Sequence, residues 1–212
     1  MSPHVGEGPA PRPTDWNIPN ALTVLRILLV PVYGWLLLHH DGADAWWRLG
    51  AWLVFVVAAA TDWIDGRIAR SRGQITNFGK VADPIADKAL TGVAFIGLSL
   101  LGLVWWWVTI VILVRELAIT VLRFVVIRHG VMPAGRGGKL KTMLQTLSLA
   151  ALTFPLWVLP LPDVWTFLAH AILGAALVVT VVTGVDYLVK GAHLRATSER
   201  TLARRAAGGR VR

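Results

Sequence analysis

The sequence predicts an all-α, polytopic membrane protein: six transmembrane helices with an N-terminal juxtamembrane segment. Three observations predict it. Of 212 residues, 55% are hydrophobic. Mean hydropathy is +0.60, well above the apolar share of an ordinary soluble domain. Six apolar runs, at 21–40, 45–70, 81–103, 104–128, 142–160 and 165–189, approach the roughly 20 residues an α-helix needs to cross a bilayer.

The elements follow in order. The opening "MSPHVGEGPAPRPTDWNIPN" is rich in Pro and Gly, which predicts a disordered tail over 1–14. The helix after it lacks a small-residue cleavage site and is expected to be retained. The six-helix domain then occupies 15–190, and a basic tail, 191–212, closes the chain. Cysteine is absent, which excludes disulfides and thiol chemistry.

The basic residues set the orientation. Arg67, Arg70, Arg72 and Lys80 lie between spans two and three, and Arg128, Arg136, Lys139 and Lys141 between spans four and five. Seven more, from Lys190 to Arg212, follow span six. The opposite connections, "HHDGADAWWR", "LGLVWWW" and "LPLPDVW", carry Arg48 alone and are rich in Trp. By the positive-inside rule both termini face the cytoplasm. His39 and His40 then lie at the far interface, and Trp46, Trp47, Trp105, Trp106 and Trp107 read as belt residues. The net charge of +9 gathers on one face, where it suits anionic lipid headgroups or phosphorylated substrates. Because the charges flank spans instead of forming a soluble basic module, no nucleic-acid partner is expected. The C-terminal tail reads as a solvated topology signal more than as a lipid anchor.

The chemistry-bearing stretch is "TDWIDGRIARSRGQITNFGKVADPIADKAL", Thr61 to Leu90. Asp62 and Asp65 are three apart near the end of the second helix, and Asp83 and Asp87 are four apart near the start of the third. Each pair therefore shares a helix face. Folding back near Gly73 sets Asp62 level with Asp87 and Asp65 level with Asp83, so four carboxylates converge at the cytoplasmic edge. Buried together without a counter-charge they would take up protons. A salt-bridged hairpin, with Lys88, Arg67 and Arg70 as counter-charges, is the plain structural alternative. An all-oxygen donor set without Cys or nearby His favours Mg²⁺ or Mn²⁺, and four carboxylates suit two ions, an arrangement fitted to displacement at phosphorus. Gly66, Ala69 and Gly79 leave room for a close ligand or a neighbouring helix. Arg70 could clamp diphosphate oxygens.

Written out, the stretch is D-x-x-D-G-x-x-A-R, eight residues, then G-x-x-x-D-x-x-x-D. It resembles the signature of the CDP-alcohol phosphatidyltransferase family in every fixed position. The resemblance implies a six-helix membrane enzyme, usually a homodimer, that moves a phosphatidyl group from a CDP-linked lipid to an alcohol and releases CMP. It implies that Asp62, Asp65, Asp83 and Asp87 bind metal and that Asp87 is also the general base. Gly66, Ala69, Arg70 and Gly79 would hold the cytidine diphosphate.

The acceptor is addressed by other segments. "RELAITVLR" puts Arg115, Glu116 and Arg123 into an apolar helix, where ionisable residues point to function. Pairing of the arginines with Glu116 is the alternative. "GRGGKLKT" brings Lys139 and Lys141 to the same face after a glycine-rich turn. These four cations suit an acceptor phosphate. The segments "NIPNALTVLRILLVPVY", "VADPIADKAL", "ILVRELAITVLR" and "GGKLKTMLQ" resemble the glycerol-3-phosphate-using branch of the family, in its actinobacterial form. That implies CDP-diacylglycerol and sn-glycerol-3-phosphate as substrates in a bacterial plasma membrane. Asn20, Thr23 and Arg26 would border the nucleotide and lipid site. Branches that use phosphatidylglycerol or inositol phosphate also benefit from cations near the acceptor. A prenyltransferase lacks this fused aspartate spacing. A divalent-cation transporter would carry polar residues through the full membrane depth, whereas the outer halves of these spans are almost wholly apolar.

Overall fold

The structure is a computed structural model that describes the backbone of residues 18–72, 77–126 and 136–197, and the side chains of 20–61, 82–122 and 137–191. Six long helices are described: α1 (Ile18–Leu38), α2 (Ala45–Arg72), α3 (Asn77–Leu100), α4 (Trp106–Val126), α5 (Arg136–Thr153) and α6 (Pro162–Thr197). Short 3₁₀ turns follow α1 (His39–Gly42) and α5 (Leu156–Val158), and there is no strand among the described residues. Of the predicted tails, 1–14 and 191–212, all of the first and 198–212 of the second lie outside the described residues.

Helices α5 and α6 differ from expectation at their ends, α5 also stopping at Thr153, short of the expected 160. Helix α5 begins at Arg136, so Gly137 and Gly138 form its first turn and not a loop before it. The reason is packing: a Cβ on Gly137 would stand 2.7 Å from Thr183 Cγ2 of α6, closer than real contacts allow. Helix α6 runs on to Thr197, into the segment expected to be tail. Nothing in "VKGAHLRAT" breaks a helix except one glycine, and Gly191 is itself packed against Leu122 of α4.

Helix α1 packs between α2 and α3, α6 packs on α5 and α4, and α2 and α3 meet α5 across the middle. Tyr33, Phe55, Phe95, Leu98, Ile112 and Leu149 fill the shared core. Alanines at 51, 58 and 94 are fully buried among them, and small side chains at such contacts let helix backbones approach closely. The Tyr33 ring lies 5.5 Å from that of Phe55, and its hydroxyl shares a 3.0 Å hydrogen bond with Thr153 Oγ1.

The distribution of polarity is inverted relative to a protein in water. Leu28, Trp35, Leu53, Leu117, Phe167 and Val182 point outward, while Asn20, Thr23, Arg26, Gln145 and Thr180 are buried. Contiguous apolar surface on this scale is what a lipid or protein partner covers. Asn20–Gly42 and Pro162–Gly191 are long and apolar enough to cross a membrane, and Ala45–Thr61 is a shorter apolar helix.

At the end where α1 finishes and α2 starts, buried Arg48 closes the bundle. Its Nε donates to Thr153 O at 2.9 Å, Nη2 to Leu152 O at 2.6 Å and Nη1 to Gly42 O at 3.3 Å. It thereby satisfies carbonyls that the end of α5 leaves without intrahelical donors. The guanidinium also sits 5.2 Å from the Trp157 ring centre, within cation–π range. Arg48→Met should cost about 3 kcal/mol or more, because buried carbonyls lose a charged donor and cannot turn to water. Thermal unfolding of the detergent-solubilised protein measures this, with Trp46→Ala, at an exposed position, expected to leave the midpoint unchanged.

Candidate active site

The helix ends opposite Arg48 enclose a cavity of about 590 Å³. One wall is α3, which contributes Asp83, Asp87 and Lys88; the facing wall is Arg115 and Glu116 of α4 with Lys139 and Lys141 of α5. Four cations and three carboxylates thus line one space.

The α3 wall is tied to α1. Thr23 is buried and its hydroxyl donates to Asp83 Oδ1 at 2.5 Å. Asn20, Thr23 and Arg26 recur every third residue and are all buried, whereas Val24, Leu25, Ile27 and Leu28 between and beyond them are exposed. Arg26, only 1% exposed, donates from Nε to Ala58 O of α2 at 3.2 Å. A smaller cavity of about 60 Å³ is lined by Arg26 and Asp87 together. Thr23 and Arg26 of α1 therefore adjoin Asp83 and Asp87, and Asn20 is buried on the same face of the helix.

The facing wall is organised by Glu116. Its Oε1 accepts from Arg115 Nη1 at 3.0 Å and from Lys141 Nζ, and its backbone carbonyl accepts from Lys88 Nζ at 3.1 Å. Lys88 Nζ also donates to Thr120 Oγ1. The pairing of Arg115 with Glu116, the alternative to a phosphate-binding role, is thus present, but Lys141 shares the same carboxylate, so the pair does not use up the positive charge. Arg115 Nη2 donates to Thr183 Oγ1 of α6 at 2.8 Å. Lys139 is exposed at the rim.

Asp62, Asp65, Gly66, Ala69 and Arg70 lie on α2, Gly79 on α3 and Arg123 on α4, with side chains outside the described residues. The levelling of Asp62 with Asp87 and of Asp65 with Asp83 falls there too. Among the described residues no three acidic, His or Cys side chains converge. The described donors are Asp83 and Asp87, four apart on α3 and bordering one cavity. Hard carboxylate oxygens without sulfur or imidazole are the donor chemistry of Mg²⁺ and Mn²⁺, so this pair fits such an ion.

Sequence reasoning passed over Thr120, Thr183, Gly184 and Tyr187. Thr and Gly are ordinary in apolar helices, and what marks these four is a tertiary contact with a charged group or with α5. Three of them, Thr183, Gly184 and Tyr187, fall within one short segment, "TGVDYL".

With this geometry in place, the comparisons are consistent with one another. The sequence profile of the family described as CDP-alcohol phosphatidyltransferase matches residues 16–183, most of the chain, and the chain belongs to that family. A Mycobacterium tuberculosis (strain H37Rv) protein described as "Probable phosphatidylglycerophosphate synthase" is 48% identical over 174 residues, covering 82% of this chain and 81% of the relative. The Bacillus subtilis (strain 168) CDP-diacylglycerol--glycerol-3-phosphate 3-phosphatidyltransferase is 38% identical over 193 residues, 86% of this chain and 99% of the relative. The Escherichia coli (strain K12) protein of the same description is 34% identical over 181 residues, covering 82% and 94%.

Glu116→Gln keeps the shape of the shared acceptor but removes its charge, leaving Arg115 and Lys141 as largely buried cations. Breaking a buried ion pair from one side is strongly destabilising, and a loss of about 3 kcal/mol is expected in chemical or thermal unfolding. Asp186→Asn, which breaks the exposed Lys190–Asp186 pair, should change stability by less than about 1 kcal/mol.

Proposed function

We propose that this chain transfers the phosphatidyl group of CDP-diacylglycerol to sn-glycerol-3-phosphate, giving phosphatidylglycerophosphate and CMP in bacterial phospholipid synthesis. The observation that carries the reading is the single cavity with Asp83 and Asp87 on one wall and Arg115, Lys139 and Lys141 on the other. One wall suits a metal-bound diphosphate. The other suits a phosphomonoester, because Glu116 is the one carboxylate on that wall set against three cations. The 48% and 38% identical relatives carry names that state this product or this reaction, which supports the choice of acceptor.

In this reading all six helices span the plasma membrane, both termini and the site face the cytoplasm, and the protein works as a homodimer. Asp62, Asp65, Asp83 and Asp87 would hold two Mg²⁺ or Mn²⁺ ions, which when bound neutralise the diphosphate and the departing CMP. Asn20, Thr23 and Arg26 border the nucleotide and lipid, and Gly66, Ala69, Arg70 and Gly79 hold the cytidine diphosphate. Arg115, Arg123, Lys139 and Lys141 bind the acceptor phosphate, which fixes the sugar-derived chain with its 1-hydroxyl toward α3. Asp87, which faces both cavities, takes the proton from that hydroxyl as oxygen attacks phosphorus. Holding both substrates in one cavity supplies proximity that free encounter lacks.

The test is CMP release by the purified protein from CDP-diacylglycerol with Mg²⁺, comparing glycerol-3-phosphate, inositol phosphate and phosphatidylglycerol. Turnover should be confined to glycerol-3-phosphate, and chelation should abolish it until Mg²⁺ or Mn²⁺ is returned. Asp87→Ala should lower turnover by roughly 10²–10⁴-fold, the range of a lost general base, or further if metal is lost as well. Preference for phosphatidylglycerol would overturn the phosphate pocket, and CMP release indifferent to Asp87→Ala would overturn the catalytic assignment.

A further inference from the structure

Arg115 is held in an unusual way. Nη1 is paired with Glu116 at 3.0 Å and Nη2 donates to Thr183 Oγ1 at 2.8 Å, while Nε is buried without a hydrogen-bond partner among the described residues. The Thr183 hydroxyl spends its own proton on Val179 O at 2.6 Å. Its lone pairs are therefore left to face the guanidinium, and the contact has a fixed polarity.

The next residue supplies the space. A Cβ on Gly184 would stand 3.1 Å from both Arg115 Cγ and Nε, so any side chain there presses on the arginine stem and on the unpaired Nε. The same stretch seats α5: the Thr183 methyl fills the place that a Gly137 side chain would take, and Tyr187 Oη lies 3.7 Å from where a Gly138 Cβ would be. Three residues of α6 thus set both cationic elements of the cavity, the arginine on α4 and the lysine-bearing first turns of α5.

We propose that Thr183 and Gly184 are positioning residues for the acceptor pocket: Thr183 aims the Arg115 guanidinium, and Gly184 provides the room in which it lies. This rests on the reading of Arg115 as a ligand of the acceptor phosphate. Neither residue touches the reacting atoms, so their loss should register in acceptor affinity more than in the chemical step.

The experiment is steady-state kinetics on the full-length protein with CDP-diacylglycerol, Mg²⁺ and glycerol-3-phosphate, for Thr183→Val, Thr183→Ser, Gly184→Ala and Gly174→Ala, with Arg115→Ala as reference. Gly174 is on the same helix with nothing within 4 Å of its would-be Cβ. Thr183→Val and Gly184→Ala are expected to raise KM for glycerol-3-phosphate about tenfold, the effect of losing one hydrogen bond to a charged group. Their kcat should stay within about twofold and KM for CDP-diacylglycerol should not move; a few-fold change is well within what such kinetics resolve. Thr183→Ser should restore the parent value, and Gly174→Ala should match it. In an Arg115→Ala background Thr183→Val should add nothing, since residues that act through one another are not additive.

Parent-like acceptor KM in Thr183→Val, or an equal effect of Thr183→Val with and without Arg115, overturns the positioning role even where Arg115→Ala raises that KM. Fall of kcat and rise of both KM values together would reduce the contact to a structural one and overturn it as well. If Arg115→Ala leaves the acceptor KM unchanged, the pocket assignment itself fails and the inference falls with it.

Discussion

Separation of charge across one cavity is the constraint on which the rest of the structure depends. Two carboxylates and one cation, Asp83, Asp87 and Lys88, stand on α3, and three cations and one carboxylate, Arg115, Lys139, Lys141 and Glu116, on α4 and α5, in surroundings where an uncompensated charge is expensive. Each set is held from behind. Thr23 of α1 holds Asp83, Glu116 draws Arg115 and Lys141 together, and Thr183 takes the far side of the guanidinium. The helix order follows from these braces: α1 has to lie against α3, and α6 against both α4 and α5, as they do.

The bundle has two ends of different character. At the Arg48 end, charge is spent wholly on structure, with all three guanidinium nitrogens donating to backbone carbonyls. At the cavity end, charge is left in partial balance, which a phosphorylated substrate could complete. Two helices reach well past what a bilayer needs: α2 has 28 residues and α6 has 36, against about 20 for a span. The aspartate signature on α2 and the Thr183–Tyr187 segment of α6 both lie toward those longer ends. In the proposed reading a site built there would meet the aqueous phase and the lipid headgroups together, where a lipid-anchored donor and a water-soluble acceptor can share one cavity.

Much of this was legible in the sequence for physical reasons. Membrane-like helices announce themselves by length and apolarity, and the six observed helices fall within a few residues of the six apolar runs except at α5 and α6. The start of α5 was obscured because glycine and lysine lower local hydropathy and glycine is a weak helix former; here the missing side chains of Gly137 and Gly138 are what allow the helix to pack. The aspartates stand out in the sequence because charged residues between apolar runs are conspicuous, whereas Asn20, Thr23 and Arg26 are marked by the family resemblance. Thr183 and Gly184 were not legible, because their importance lies in Arg115, 68 residues away in sequence. Arg48 was visible as an isolated cation on the outer side, but its seat on the end of α5 depends on a contact 105 residues distant.

The placement of Asp87 gives an independent reason to assign it the proton-accepting role. Asp83 and Asp87 share a helix face, yet their surroundings differ. Asp83 has an oxygen engaged by the Thr23 hydroxyl at 2.5 Å, on the side of α1 where the donor nucleotide and lipid are assigned. Asp87, one turn deeper, borders the large cavity with its cationic wall and also the small chamber shared with Arg26. Both carboxylates line the large cavity, and Asp87 is the one of the two that also borders the chamber shared with Arg26. A group that must accept a proton from the attacking hydroxyl while that oxygen approaches phosphorus has to stand between the two substrates. In the proposed reading Asp87, one turn deeper on α3 than Asp83 and bordering both chambers, takes that position.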